Sequence, residues 1–534
     1  MKQEEMECTN QLLDTYPAKQ HDLRHEVCIQ ALTIGSDQAG QGSVEWLGLV
    51  ETFARSEQLA TVVHASPGTR VAQIELLLGL CYATGVYPRT HTEWREWNDS
   101  RRPLTDVAER LASAEFDGLL DPLHPEHPFG QNALLADHLD PHGYGPAQLG
   151  LERCADYNQF ADHRHLFDGP LPMREAVLAM LTQHHYGLGG RVRAKTSWLG
   201  RSFTFGSVGR LAGRVRTLAL GRTLADTLRL NLAPHRPPPG EDFGGFNFSW
   251  TRGSVQRRTF DGATAQMRRA VVRPGDLHSV LGRSVLLRAG RSVEGEWVVD
   301  RVLMGAGELL EPLGADGLQD AVMDSGRPLQ ASAEHGLWRD AHALYAACRP
   351  HTKGNDLFSR LASLKRPITL WSVGLVAKQR SAITWVSDTF PFDPKSQPAL
   401  LRVSREAAAW TDFLASCVEK AAIVARDVVY PQARPDERKV LLKRFHPGSL
   451  LFARFEGPFH ELLDDIAAGV AAETALACFA EHAVHASRAA LRERLRGLPR
   501  SATALEAEAR AEARFEAALN ATNTFPLLKE AAHP

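Results

Sequence analysis

Residues able to do chemistry are plentiful in this chain, and their spacing decides which chemistry is open. Among its 22 histidines, the runs Asp162-His163-Arg164-His165 and His184-His185 offer imidazoles for a metal, and a metal-dependent hydrolase using His163, His165 and His184 is one reading. Adjacent or alternate histidines diverge on a helix, however, and no H-E-x-x-H or comparable acidic partner stands nearby. His124 and His127 sit in a proline-broken stretch and share no helix face. No G-x-S-x-G elbow, Walker loop or kinase signature occurs, and Gly187-Leu188-Gly189-Gly190 lacks the strand and Lys-Ser/Thr context of a phosphate loop. The motifs therefore nominate no catalytic residue, metal or cofactor.

Basic surface is the second chemistry. Arg191, Arg193, Lys195 and Arg201 follow the glycine turn, and Arg210, Arg214 and Arg216 continue the run. Glycines there let backbone approach a phosphate chain; a solvated loop is the competing reading. Arg488, Arg492 and Arg496 recur four apart on one helix face, as phosphate contacts or as a plain solvent face. Lys378, Gln379 and Arg380 form a small polar wedge suited to entering a groove or parting a base step, and equally an ordinary exposed turn.

These groups need elements to hold them. Apolar residues recur at helical spacing over 72–87 and 104–119, and a further helix is expected from Pro172 to the Gly187 stop. The stretch from His127 to Gly150, rich in proline and glycine, reads as a long surface loop. An apolar helical run over Leu220–Leu232 ends at the prolines of 234–239. Alternation at 284–288 and 296–299 predicts strands, and Ile368–Val376 and Ile383–Val386 predict a hairpin with its tip at 377–381. Beyond Pro391 the periodicity is helical: Leu476, Phe479, Ala480, Ala483, Leu491 and Leu495 make an inward stripe, and Thr503 with Glu506 reads as a capping box. The expected fold is α+β, a large mixed amino-terminal domain with short sheets over 1–395 followed by a four-helix bundle over 396–534.

Composition bounds the rest. A chain of 534 residues, 44% hydrophobic and 23% charged, has ample material for more than one core. Its net charge of -2 leaves any nucleic-acid binding to local surface. Seven cysteines without a C-x-x-C pair indicate neither a disulfide framework nor a zinc knuckle. The most apolar stretch, 74–86, is interrupted by Glu75 and too short to span a bilayer, so no membrane partner and a cytoplasmic location are expected.

Several segments then fall into one order: Phe116-Asp117 through His124-Pro125-Glu126-His127-Pro128-Phe129-Gly130-Gln131, Pro172 to Gly190, Thr223 to Leu232, and Leu337-Trp338-Arg339-Asp340. From about Asp22 to its end, the sequence resembles CasA, the large subunit of the type I-E CRISPR Cascade complex. The resemblance implies a non-catalytic subunit that joins guide-RNA-loaded Cascade subunits. Such a subunit recognises a short motif, the PAM, beside the target in double-stranded DNA, helps open the duplex, and presents the displaced strand to a recruited helicase-nuclease; guide pairing carries the specificity. A purely structural scaffold is the other non-enzymatic reading. By resemblance, Gln379 is the family's duplex-splitting wedge, flanked by Lys378 and Arg380, and Phe129 with Gln131 and Asn132 lies where the subunit docks near the guide RNA. The motif-approaching loop corresponds to Cys154, Ala155, Asp156, Tyr157 and Asn158, which lacks the family's glycine. Arg268 or Arg269 stands where the family has a lysine finger. Arg488, Arg492 and Arg496 fall on the bundle that holds displaced DNA.

Overall fold

The computed structural model describes residues 21–35, 42–151, 169–189, 198, 209–237, 245–250, 259–261, 266–269, 273–307, 309–310, 320–324, 326–348, 356–378, 381–521 and 524–532. The chain divides into two units: residues 1–321 with 353–360 and 373–385, and residues 322–352 with 361–372 and 386–534. The sequence predicts one boundary after residue 395, whereas the chain interleaves. The reason lies in packing within the second unit. The Trp338 ring rests 4.9 Å from Phe459 of the bundle, the Tyr345 hydroxyl donates to the Pro391 carbonyl at 2.8 Å, and Gln397 donates to the Tyr345 carbonyl at 2.6 Å.

In the first unit, strand Ile29–Thr33 lies between Val44–Leu47 and Leu59–Val62, antiparallel to both. Helix Pro67–Ala83 follows, with proline at its first turn, and is buried continuously from Val71 to Ala83. A helix apolar all round is a central one. Helix Met173–Tyr186 crosses it, with the Thr69 and Thr182 hydroxyls 2.9 Å apart. It begins after Pro172 and stops at Gly187, where the sequence placed it. The predicted strands form one long antiparallel pair, Arg283–Arg291 with Trp297–Ala306, edged by Leu171–Pro172. Residues 127–150 are more structured than the expected loop: they carry helix Ala136–His142, and Tyr144 exchanges backbone hydrogen bonds with Val302.

The second unit contains the carboxy-terminal helical region. Helices Gln397–Val429, Ser449–Ala467, Ala472–Arg496 and Ala502–Leu519 are its long members. The predicted stripe from Leu476 to Leu495 is buried throughout, and Trp410, Phe459 and Phe479 interlock at ring distances of 5.9 to 6.3 Å. One local expectation shifts. The last long helix is capped by Ser501, whose hydroxyl accepts from Ala504 N–H at 3.1 Å, while Thr503 lies inside the first turn. Ser501 has the extended backbone a cap requires, φ -153° and ψ 164°. Among the described residues no helix is long and apolar enough to cross a membrane.

Glu75, the one buried charge of the central helix, organises the first unit. Its carboxylate accepts from Arg216 at 2.7 Å, from Arg210 at 2.6 Å and from His278 at 2.8 Å. Asp320 takes Arg210 at 2.9 Å and Arg214 at 2.8 Å. Burial by itself raises the Glu75 pKa; the Arg216 and Arg210 guanidiniums and His278 outweigh it and hold the carboxyl well below its ordinary value. Asp320 is depressed in the same way, its burial overcome by Arg214, Arg210 and Arg216. Both folded pKa values lie below the unfolded ones, so the stability these groups contribute is fully present above ordinary carboxylate values of 4.5 and 3.8 and is lost as pH falls toward the folded values. Glu75→Gln leaves guanidiniums buried and under-compensated, and is expected to destabilise the fold by about 3–5 kcal/mol. Urea unfolding at neutral pH measures this, and a midpoint equal to wild type would show that the network contributes nothing.

Candidate nucleic-acid interface

The hairpin is present, and longer than the sequence predicts. Strands Ile368–Lys378 and Ser381–Phe392 pair within a three-stranded sheet in which Ile368–Lys378 is central and Arg216–Leu220 is its other neighbour. The Trp371 indole donates to the Ser387 hydroxyl across the pair at 2.8 Å. Toward the tip, Leu375, Val376 and Ala382 are buried, and Trp385 stands edge-on to Tyr186 at 4.8 Å. Gly68 makes that seat possible, since a Cβ there would meet the Trp385 ring at 2.2 Å. A strand pair packed this close to its end is a stiff mount. Gln379 and Arg380 lie outside the described residues, as does the side chain of Lys378.

Arg268 and Arg269 are on strand Gln266–Arg269, opposite Leu309 and Leu310; their side chains are outside the described set. So are Cys154, Ala155, Asp156, Tyr157, Asn158, His163, His165, Arg191, Arg193, Lys195 and Arg201.

The expectation that Phe129, Gln131 and Asn132 touch RNA or a neighbouring subunit is corrected. Phe129 is 2% exposed, and the other two are fully buried. The Gln131 amide donates to the Pro122 carbonyl at 2.6 Å and accepts from Leu287 N–H at 2.9 Å. Asn132 donates to the Ser284 hydroxyl at 2.5 Å and accepts from Leu134 N–H at 3.0 Å. Between them Gly130 adopts φ +69°, and a Cβ there would meet Met180 at 2.6 Å. These residues latch the segment onto the long strand pair, and what this segment exposes is Pro125, Glu126 and His127.

His184 is part of the same latch. Its Nδ1 accepts from Arg283 N–H at 3.3 Å, so the Nε2 proton goes to the Gly130 carbonyl at 2.8 Å. Burial pushes the neighbouring His185 pKa down to about 3, leaving it neutral. With both ring nitrogens committed, His184 has no free lone pair for a metal, which removes the one described ligand of the hydrolase reading. Elsewhere in the second unit, Asp388, Glu456 and His460 bring ligand-type atoms within 4.8 Å of one another. There the His460 Nε2 donates to Asp388 at 2.8 Å, and that hydrogen bond raises the His460 pKa. An internal ion pair accounts for this contact.

Both arginine runs meet acids within the chain. Arg210, Arg214 and Arg216 are buried counterions of Glu75 and Asp320, closed to any phosphate chain. On the bundle, Arg488 pairs with Glu516 at 2.7 Å, Arg492 with Glu512 at 2.6 Å and Arg496 with Glu508 at 3.4 Å. Arg454 pairs with Glu493 along the same groove. Four cations meet four anions, so these pairs carry no excess positive charge. Arg488 also donates to the Ala532 carbonyl at 3.0 Å, joining the last helix.

The side chain of Arg488 is 24% exposed and that of Arg496 is 71% exposed. Arg488→Ala is therefore expected to cost about 1 kcal/mol, and Arg496→Ala only about 0.2 kcal/mol, read as shifts in thermal midpoint. Replacing all three with alanine should leave the salt slope of nucleic-acid binding unchanged; a shallower slope would show that these arginines exchange their glutamates for phosphates.

Structural relatives share this architecture. CasA (Cse1) from Thermus thermophilus aligns with a TM-score of 0.69 at 21% identity, over 95% of this chain and 99% of that one. Cse1 from Thermobifida fusca aligns with a TM-score of 0.67 at 17% identity, over 96% and 98%. A chain of a CRISPR RNA-guided surveillance complex aligns with a TM-score of 0.63 at 19% identity, over 92% and 99%. At such identities the likeness speaks to fold. No curated protein matches in sequence. The sequence pattern of the family described as CRISPR-associated protein Cse1 matches residues 37–501, and on that span the chain belongs to the CRISPR-associated Cse1 family.

Proposed function

We propose that this chain is the large subunit of a type I-E Cascade-like RNA-guided complex. In this reading it recognises the PAM beside the target in double-stranded DNA, starts strand opening, and helps recruit a helicase-nuclease that performs the cutting. Family membership over residues 37–501 supports the assignment, as does the likeness to a chain of an RNA-guided surveillance complex. The observation that carries the mechanism is the hairpin, with strands buried at Val376 and Ala382 that leave Gln379 and Arg380 to join them.

Physically, opening a duplex beside a motif requires something that holds its position while base pairs give way. A pair of strands seated by Trp385 on the central helix meets that requirement better than a free loop. Gln379 supplies amide donors and acceptors to the minor groove and to freed base edges. Lys378 and Arg380 add phosphate contacts beside it. In this reading the loop containing Cys154 to Asn158 approaches the motif, and Arg268 or Arg269 takes the place of the family's lysine. Contact with guide-RNA-loaded subunits falls to exposed residues around Glu126 and His127 rather than to Phe129.

Gln379→Ala is expected to slow target opening about tenfold, equivalent to about 1.4 kcal/mol on the barrier, while complex assembly is retained. Permanganate footprinting of the opened strand measures it, and wild-type footprints from an assembled variant would remove Gln379 from the mechanism. A second measurement separates recognition from scaffolding: target duplexes identical except for the flanking motif should differ in affinity. Equal binding to all flanks would leave only a structural role.

A further inference from the structure

A pocket of about 450 Å³ opens in the first unit between the edge formed by Leu32, Ile34 and Ala60 and the turn leading into helix Leu224–Asn231. Five charged residues line it: Glu57, Arg101, Arg222, Asp226 and Arg229. Their pairing is unequal. Arg229 bonds to Glu57 and, at 3.2 Å, to Asp226. The second Glu57 oxygen accepts from the Thr223 hydroxyl at 3.0 Å, and Asp226 also takes Arg222 N–H at 3.3 Å. Both carboxylates are thus occupied by internal donors. The guanidiniums of Arg101 and Arg222 have no acidic partner among the described residues, and both residues are exposed. Among the described residues that line it, three guanidiniums stand against two carboxylates, an excess of positive charge.

The backbone of Arg101 is a second observation. At φ 53° and ψ 48° it ends helix His91–Ser100 in the left-handed region, and it is the only non-glycine residue at positive φ among those described. Glycine or asparagine fits that position with less strain. An arginine there carries a local cost, and its guanidinium makes no bond to a described residue in return. The same pocket is also lined by apolar side chains, Leu32, Ala60 and the 47% exposed Ile34. Cations and apolar side chains lining one pocket of this size match a phosphate carried on a ring, which is the repeating unit of a nucleic-acid strand.

We propose that this pocket binds a phosphate-bearing nucleotide unit of single-stranded nucleic acid, the phosphate lying against Arg101 and Arg222 and the sugar or base against Leu32, Ile34 and Ala60. The site goes beyond the hairpin reading and does not depend on it. The test uses the full chain and a fluorescein-labelled ten-residue oligothymidylate, followed by anisotropy across a sodium chloride series. Arg101→Gly removes the cation while suiting the backbone, so it should keep or raise the thermal midpoint; Arg222→Ala trims an exposed side chain. The double variant is expected to bind on the order of tenfold more weakly at low salt, with a slope shallower by about 0.7 for one lost phosphate contact. The variant with lysine at both positions should retain most of the slope. Adenosine monophosphate that displaces the oligonucleotide from wild type, but not from the double variant, supports the site and extends it to free nucleotides. Wild-type affinity and slope in the folded double variant overturn it. Displacement by an acidic peptide but not by inorganic phosphate overturns it in favour of a protein ligand. None of these outcomes involves a duplex, so failure here leaves the hairpin's role standing and the reverse also holds.

Discussion

Glu75 and Asp320 place two carboxylates in the apolar interior of the first unit, and what is built on that interior depends on the arginines that neutralise them. Desolvating an unpaired carboxylate costs several kcal/mol, so the central helix Pro67–Ala83 sits in its core only when Arg210 and Arg216 have arrived. Those arginines come from far along the chain, and they bring their own element. Arg216 opens strand Arg216–Leu220, which lies beside the central strand of the hairpin. The ion network therefore does more than satisfy a buried acid; it fixes the sheet from which the hairpin projects. His278 adds a third tie, stacking on Tyr82 of the same helix at 5.5 Å while it donates to Glu75.

A second constraint acts from the other side of the helix Met173–Tyr186. His184 reaches the Gly130 carbonyl, Gln131 reaches Leu287, and Asn132 reaches Ser284, so the H-P-F-G-Q-N segment is bonded to both a helix and a strand. Buried polar groups that are fully paired specify one arrangement, because any other leaves them unsatisfied. A segment that reads as a surface loop becomes a fixed corner. It presents Glu126 and His127 outward while its aromatic residue stays inside.

Where the sequence was legible, the reason was periodicity. The helix that starts after Pro172 and stops at Gly187, the paired strands 283–291 and 297–306, and the inward stripe from Leu476 to Leu495 each announce themselves within one window of residues. The mount for Gln379 was legible in the same way, though its strands run two residues closer to the tip on one side and two on the other. What stayed hidden depends on partners remote in sequence. Nothing near Arg210 or Arg216 tells that Glu75 will take their charge, and nothing near Arg488 names Glu516. Glu75 was itself the available signal: a lone acid in the most apolar stretch of the chain requires a buried cation from somewhere. The Phe129 reading failed for a related reason, since an aromatic beside prolines and glycine looks exposed until the strand that covers it is known.

The pattern among the arginines has a physical cause. A run of guanidiniums on one element repels itself, and folding relieves that repulsion most cheaply by bringing acids alongside, as the Glu508, Glu512 and Glu516 ladder does for the bundle and as Glu75 and Asp320 do in the core. Runs are thus the places where a folded chain is most apt to have neutralised its own charge. An isolated arginine at a helix end or turn feels little such pressure. Arg101 and Arg222 are of this second kind, more than a hundred positions apart in the chain, without an acidic partner among the described residues, and brought to one pocket only by the fold. Charge density along a sequence therefore differs from the charge left over after internal pairing. By that measure the four ion pairs of the bundle face are balanced, while the described residues of the pocket beside Ile34 carry one cation more than their carboxylates.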